Sequence, residues 1–232
     1  MQKKYWLPLF WRWVYYAGVW TAVFWLTDWD MRIAAWFYHP ACSPQGWLLD
    51  CYPMLYYLFY ASIPLISSLI LLGSLGVIGW TLWRNDQQRL RRQVLYFLLV
   101  FVLGSGVLVN AVFKGHWGRP RPVQIEELGG TERYVPPVQY VAHSDGHSFP
   151  SGHSSIGFGF IALYFIWRRS HPLWARRLVW ASVLFGCLIG FTRMAAGGHF
   201  LSDVMWSAFL MLFTAYCLSR SLLMDFNLSA SE

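Results

Sequence analysis

Apolar residues run through this chain in stretches too long for strands or for the amphipathic helices of a soluble domain. Six stand out, at 6–27, 55–83, 94–113, 154–167, 178–197 and 201–223. A hydrocarbon core takes roughly 20 apolar residues per helix. The pattern therefore predicts an all-α, polytopic membrane protein with six transmembrane helices. No linker, repeat or low-complexity tract divides the chain, so residues 1–232 are expected to form one membrane-embedded domain. The first stretch follows Lys3 and Lys4, as the apolar region of a secretory signal would. It is longer than the roughly 7–15 residues of such a region and no small-x-small cleavage site follows, so it reads as a retained span. Between Asp28 and Pro53, the run Met31–Tyr38 predicts a short helix lying along the membrane surface, where packing against the spans is the plainer role.

Composition agrees with this pattern. The chain is 56% hydrophobic and 12% charged, where soluble domains carry about 25% charged residues. Aromatics reach 19%, and many of the 15 Trp sit near the ends of apolar runs, as interfacial belts do. A net charge of +7 would suit nucleic acid, but its placement points to a bilayer partner and against a nucleic acid. Twelve of the 18 Lys and Arg fall at Lys3/Lys4/Arg12, Arg84/Arg89/Arg91/Arg92, Arg168/Arg169/Arg176/Arg177 and Arg220. With six spans these all lie on one side, which the positive-inside rule makes the cytoplasm, with both termini inside. The others, Arg32, Lys114, Arg119, Arg121, Arg133 and Arg193, fall on the far side. Cys42 and Cys51 flank a Pro- and Gly-containing loop there, placed either for a disulfide or as free thiols. Cys187 and Cys217 lie in apolar spans as packing residues.

The candidate chemistry gathers in three clusters at the ends of apolar stretches. The first is Lys114-x6-Arg121-Pro122. Its two prolines disfavour helix at the residues before them, so the chain leaves the membrane extended, and Lys114 and Arg121 can approach one anion from different directions. The second is Pro150-Ser151-Gly152-His153. Ser151 is a good N-cap, Gly152 admits close approach of a ligand, and the helix start they open forms an anion site with His153 beside it. The third is Arg193-x5-His199-x3-Asp203. Spacing of four puts His199 and Asp203 on one helix face, where an Asp203 hydrogen bond to one imidazole nitrogen would leave the other free as a nucleophile. Asp203 at the mouth of an apolar helix needs a partner, and Arg193 adds a phosphate contact. Arg119, His116 and His143 are candidates for a substrate entrance. His143, Asp145, His147 and His153 do not share one continuous helix, so no metal is expected. The loop Val123–Ser148 would read the headgroup.

In order and spacing these residues resemble the type 2 phosphatidic acid phosphatase superfamily, whose signature is K-x6-RP, PSGH and SR-x5-H-x3-D. The resemblance covers residues 110–204, with Thr192 in place of the usual Ser. It implies a bacterial inner-membrane lipid phosphatase needing no cofactor, with its site at the periplasmic face. His199 would attack phosphorus to form a phosphohistidine, with Asp203 orienting it. Lys114, Arg121, Arg193, Ser151 and Gly152 would hold the phosphate oxygens, and His153 would protonate the leaving oxygen and then activate water. The implied partner is a membrane lipid carrying a phosphate or pyrophosphate: undecaprenyl pyrophosphate, lipid A phosphate, phosphatidylglycerol phosphate or phosphatidic acid. Phosphotransfer to another lipid, or non-catalytic binding of a lipid phosphate, are the alternatives. Vanadate-dependent haloperoxidases share such a site, but they are soluble.

Overall fold

The computed structural model describes residues 6–41, 45–85, 87–142 and 144–223. Among these residues, eight α-helices carry the fold: α1 Trp6–Leu26, α2 Trp29–Trp36, α3 Pro53–Arg84, α4 Gln88–Leu99, α5 Gly152–Gly159, α6 Ala162–Trp167, α7 Pro172–Ala195 and α8 Leu201–Leu222. A π-helix, Val100–Lys114, continues α4 without a break. Short 3-10 turns at Leu48–Cys51, Pro122–Gln124 and Glu126–Leu128 punctuate the loops, and the described residues contain no β-strand beyond two isolated bridges.

Among the described residues, four helices are long and apolar enough to cross a membrane: α3, α4 with its π-helical extension, α7 and α8. Gly152–Trp167, covering α5 and α6, is apolar but shorter. The expected span at 154–167 is therefore two helices, parted near Phe160 and Ile161. The sequence at the ends explains the boundaries. Pro53 and Pro172 open α3 and α7 in the first turn, where their missing N–H groups cost nothing. Asn85 closes α3 in the left-handed conformation. The short helix expected at Met31–Tyr38 is α2, shifted two residues toward the N-terminus.

The core lies between α4, α5, α6, α7 and α8. Tyr96, Phe158, Phe165 and Met211 pack there, and the Tyr96 hydroxyl donates to the Ala215 carbonyl at 2.9 Å. Small residues let backbones meet, as in other membrane bundles. A Cβ on Gly157 would lie 2.6 Å from the Gly186 Cα, so α5 and α7 touch through glycine, and Ser182 on α7 donates to the Gly157 and Phe158 carbonyls. In contrast, α3 leaves Leu65, Leu69, Leu72 and Trp83 exposed, as a lipid-facing helix does. A second apolar cluster, of Ala34, Phe37, Trp47, Leu49, Ile125, Leu128 and Phe200, pins α2 and the loops over the head of α8. That cluster carries α2 onto the candidate chemistry.

Candidate active site

The site forms where α5, α7 and α8 begin or end at the same level, beneath the segment that follows the π-helix. Ser151 caps α5, its Oγ accepting from the Ser154 N–H at 3.5 Å. Its own N–H donates to the Asp203 carbonyl at 3.2 Å, and Ser207 Oγ donates to its carbonyl at 2.7 Å, so the α5 start is fastened to α8. Gly152 follows with no room for a side chain, because a Cβ there would strike the Asn110 amide oxygen.

His199 is 1% exposed, in the turn after Gly197 and Gly198. Gly197 adopts φ +64°, a left-handed turn open to glycine, and a Cβ there would collide with Trp47. The His199 Nδ1 lies 2.6 Å from the Ser148 carbonyl oxygen. A carbonyl only accepts, so Nδ1 carries the proton and Nε2 presents its lone pair. Burial pushes the His199 ring down to about 4, against the raising effect of the Asp203 carboxylate, so the ring is neutral near pH 7.

Asp203 differs from the expected arrangement. Its Oδ2 is 3.7 Å from His199 Nδ1, too far for a hydrogen bond. The carboxylate is already committed: Oδ2 accepts from Ser148 Oγ at 2.6 Å and from the Phe200 N–H at 2.8 Å, and Oδ1 accepts from Arg119 Nη1 at 2.5 Å. Asp203 lies in the first turn of α8, where it accepts from the N–H of the Phe200 N-cap, and His199 stands just ahead of that cap, before the helix and off its face. The imidazole is oriented by the Ser148 carbonyl, with the Asp203 charge behind it.

Facing His199 is a cationic wall. Lys114 ends the π-helix, Arg121 follows the proline segment, and Arg193 ends α7. Arg193, Lys114, Arg121 and His199 all lie within electrostatic reach of His153. The Arg193 guanidinium lies against Gly198, where a Cβ would approach Nη2 to 2.5 Å, and its buried Nε has no hydrogen-bond partner. Tyr60 on α3 links two of these groups: its ring stacks on His153 at 4.8 Å and lies under the Arg193 guanidinium at 5.1 Å. The structure thus brings together His199, His153, Asp203, Lys114, Arg121, Ser151, Gly152 and Arg193.

One expected position falls elsewhere. Arg119 does not line an entrance. It is fully buried, because Asp30 and Asp203 both bind its guanidinium, at 2.8 and 2.5 Å. His116 is exposed at the end of the π-helix. His143 lies outside the described residues, as does Cys42, so the expected pairing of Cys42 with Cys51 is not described. Among the described residues, no three His, Cys, Asp or Glu side chains gather as a metal-ion group. Sequence reasoning missed Ser148, Tyr60 and Asp30. Only Asp30 carried a signal, as a second acid in a short surface helix.

A family model described as the PAP2 superfamily matches residues 95–226. The chain is 33% identical over 189 residues to a lipid A 4'-phosphatase of Francisella tularensis subsp. novicida, covering 76% of this chain and 78% of that one. It is 31% identical over 167 residues to a lipid A 1-phosphatase of Rhizobium johnstonii, covering 67% and 62%. Among solved structures, a transmembrane PAP2 type phosphatidylglycerolphosphate phosphatase from Bacillus subtilis superposes with TM-score 0.54 at 22% identity, covering 92% of this chain and 94% of the other. The chain belongs to the PAP2 superfamily.

Proposed function

We propose that this PAP2 superfamily member is a membrane lipid phosphatase that hydrolyses a lipid phosphate through a phosphohistidine on His199 Nε2. The observation that carries this reading is the hydrogen bond from His199 Nδ1 to the Ser148 carbonyl at 2.6 Å. It aims a neutral, buried Nε2 toward Lys114, Arg121, Arg193 and His153. Attack by Nε2 on phosphorus breaks the bond to the lipid oxygen. His153, which takes up a proton when the negatively charged phosphate binds beside it, gives that proton to the oxygen, then takes one from the water whose attack releases inorganic phosphate. Charge shifts among the phosphoryl oxygens during both steps. Fixed donors at Lys114, Arg121, Arg193 and the Ser151–Gly152 helix start stabilise it without reorganising.

The reading extends to place and substrate. Six spans, with α1 and α5–α6 joining the four long helices, put both termini in the cytoplasm and the site at the periplasmic face of an inner membrane. A cavity of about 270 Å³ supports a lipid substrate. Ile70, Leu71, Phe101, Val102 and Ile156 line it, and at its head Asn110 contacts Gly152. A hydrocarbon tail lying there would bring its phosphate to the cationic wall. The lipid A phosphatase names of both relatives make lipid A phosphate the leading substrate, ahead of polyprenyl pyrophosphate and phosphatidylglycerol phosphate.

The test is phosphate release from these three lipids in detergent with EDTA present, comparing wild type with His199→Ala. Wild type should turn over one lipid preferentially. The variant should lose about four orders of magnitude or more, as enzymes do without their nucleophile. Turnover that survives His199→Ala would overturn the mechanism.

A further inference from the structure

Behind His199 lies a set of buried charges that the phosphate chemistry does not use. Arg119 is 0% exposed and Asp30 is 1% exposed. The guanidinium bridges two carboxylates, its Nη1 on Asp203 Oδ1 at 2.5 Å and its Nη2 on Asp30 Oδ2 at 2.8 Å. Its Nε donates to the Val135 carbonyl at 2.8 Å, so the Arg119 fork is fully committed. The ring of Phe200 lies 4.6 Å from its Cζ and that of Tyr134 5.7 Å away, closing off water. Asp30 also takes the Ser202 N–H at 2.9 Å and the Ser202 hydroxyl at 2.5 Å, so it binds the first turn of α8 beside Asp203.

Three charges in one enclosed space are costly unless they serve each other. Arg119 alone against Asp203 would cancel the carboxylate that stands 3.7 Å from the imidazole. Asp30 changes that balance. By sharing the guanidinium, it leaves the buried cluster with one net negative charge. The phosphohistidine step makes the ring cationic, since Nε2 gains a phosphoryl group while Nδ1 keeps its proton. A negative charge behind the ring stabilises that state, and a neutral pair would not.

We infer that Asp30 and Arg119 are positioning residues for the Asp203–His199 pair, and that α2, through Asp30, fixes the geometry and charge behind the nucleophile. The inference rests on the phosphohistidine reading. Other groups also face His199: Asp203 from α8, Arg193 from α7, His153 from α5, Lys114 from the π-helix, and Arg121 from the loop after it. All but Asp203 are cations or, for His153, a neutral ring able to become one. Asp30 and Asp203 are thus the carboxylates on the other side of the balance, with the Tyr134 phenol, which donates to Asp30 at 3.2 Å, beside them.

The test compares wild type, Asp30→Asn, Arg119→Lys and Arg119→Met by kcat and KM across pH, with melting temperature measured on the same preparations. The lipid is whichever phosphate ester the wild type hydrolyses. Asp30→Asn should lower kcat by about 10–100-fold, the range for removing a group that orients a working histidine, and leave KM within about threefold. Its acid limb should stay at or below that of wild type, because a negative charge is gone. Arg119→Met removes a positive charge and should move the acid limb up. Arg119→Lys keeps the charge but loses the fork, so kcat should fall with the limb in place. Asp30→Asn with wild-type kcat would overturn the inference. So would losses that follow melting temperature alone, with acid limbs unmoved in every variant. A wild type inactive on every lipid phosphate would instead refute the proposed function.

Discussion

His199 has two unlike sides. In front, Lys114, Arg121 and Arg193 repel one another, and the buried Arg193 Nε has no hydrogen-bond partner. Behind, Asp203, Arg119, Asp30, Ser148 and Ser202 bind each other at 2.5–2.9 Å. Both sides are built from charges, yet only the rear is complete without a ligand. The comparison separates two uses of electrostatics. Matched charges hold a geometry, whereas unmatched like charges store a demand for an anion. That demand costs stability in the empty protein, and a bound phosphoryl group meets it.

The largest effect should come from the front. Arg193→Ala removes the most enclosed of the three cations and its contact with the reacting oxygens. Losing one such donor lowers turnover by about 10²–10³-fold. Because Arg193 repels Lys114 and Arg121, the variant should not lose melting temperature in step with activity. Orthovanadate, which mimics the phosphorane, should raise the melting temperature of wild type and do less for Arg193→Ala. A variant that loses activity and stability together would place Arg193 with the matched charges behind the histidine.

A smaller effect tests the histidine between the two sides. His199 is held neutral by burial, with its ring at about 4 against an ordinary 6.5. In the unfolded chain it would bind a proton below 6.5, so folding excludes that proton between these values. The stability linked to His199 is therefore fully present above 6.5 and is lost as pH falls toward and through 4. The slope in that window approaches about 1.4 kcal/mol per pH unit for this one group. Melting curves of wild type and His199→Gln between pH 7 and about 4.5 check it. The difference between them should shrink as pH falls, since other acids titrate equally in both. A constant difference would mean that the ring is charged or solvated in the native state.

The front of the site was legible in the sequence, and the back was not. Lys114, Arg121, Ser151, Gly152, His153, Arg193 and His199 fall in short motifs, because helix starts and ends that bind an anion use neighbouring residues. The expected apolar stretches also return as helical segments, though α4 and α7 begin earlier, at Gln88 and Pro172, and 154–167 is split into α5 and α6, since lipid dictates length and composition more than exact ends. The rear depends on contacts that no local pattern encodes. Asp30 meets Ser202 across 172 positions, and Arg119 meets Asp203 across 84. Arg119 was expected at the substrate entrance because it sits among the residues of a phosphate motif. Its carboxylate partners, one of them on a helix 89 positions away, draw it inside. The spacing of His199 and Asp203 suggested a direct hydrogen bond for a similar reason. Spacing on a helix says nothing of the third group, Ser148, that takes the imidazole instead.

The smallest expected effect separates two ion pairs that begin two residues apart. Asp28 accepts from Arg32 Nε at 2.7 Å, and Asp30 from Arg119 Nη2 at 2.8 Å. By distance alone they are the same interaction. The first pair is 57% and 71% exposed, the second 1% and 0%. Arg32 lowers the Asp28 carboxyl from its ordinary value, but water solvates that carboxylate whether or not the contact forms. Asp28→Asn should therefore leave turnover, acid limb and melting temperature as in wild type, with added salt making no difference. Asp30→Asn, two residues along the same helix, should lower kcat because no water replaces the lost charge. If Asp28→Asn also slowed turnover, α2 would be acting through its own integrity or its seating on the membrane, and the enclosed charge of Asp30 would no longer explain the coupling.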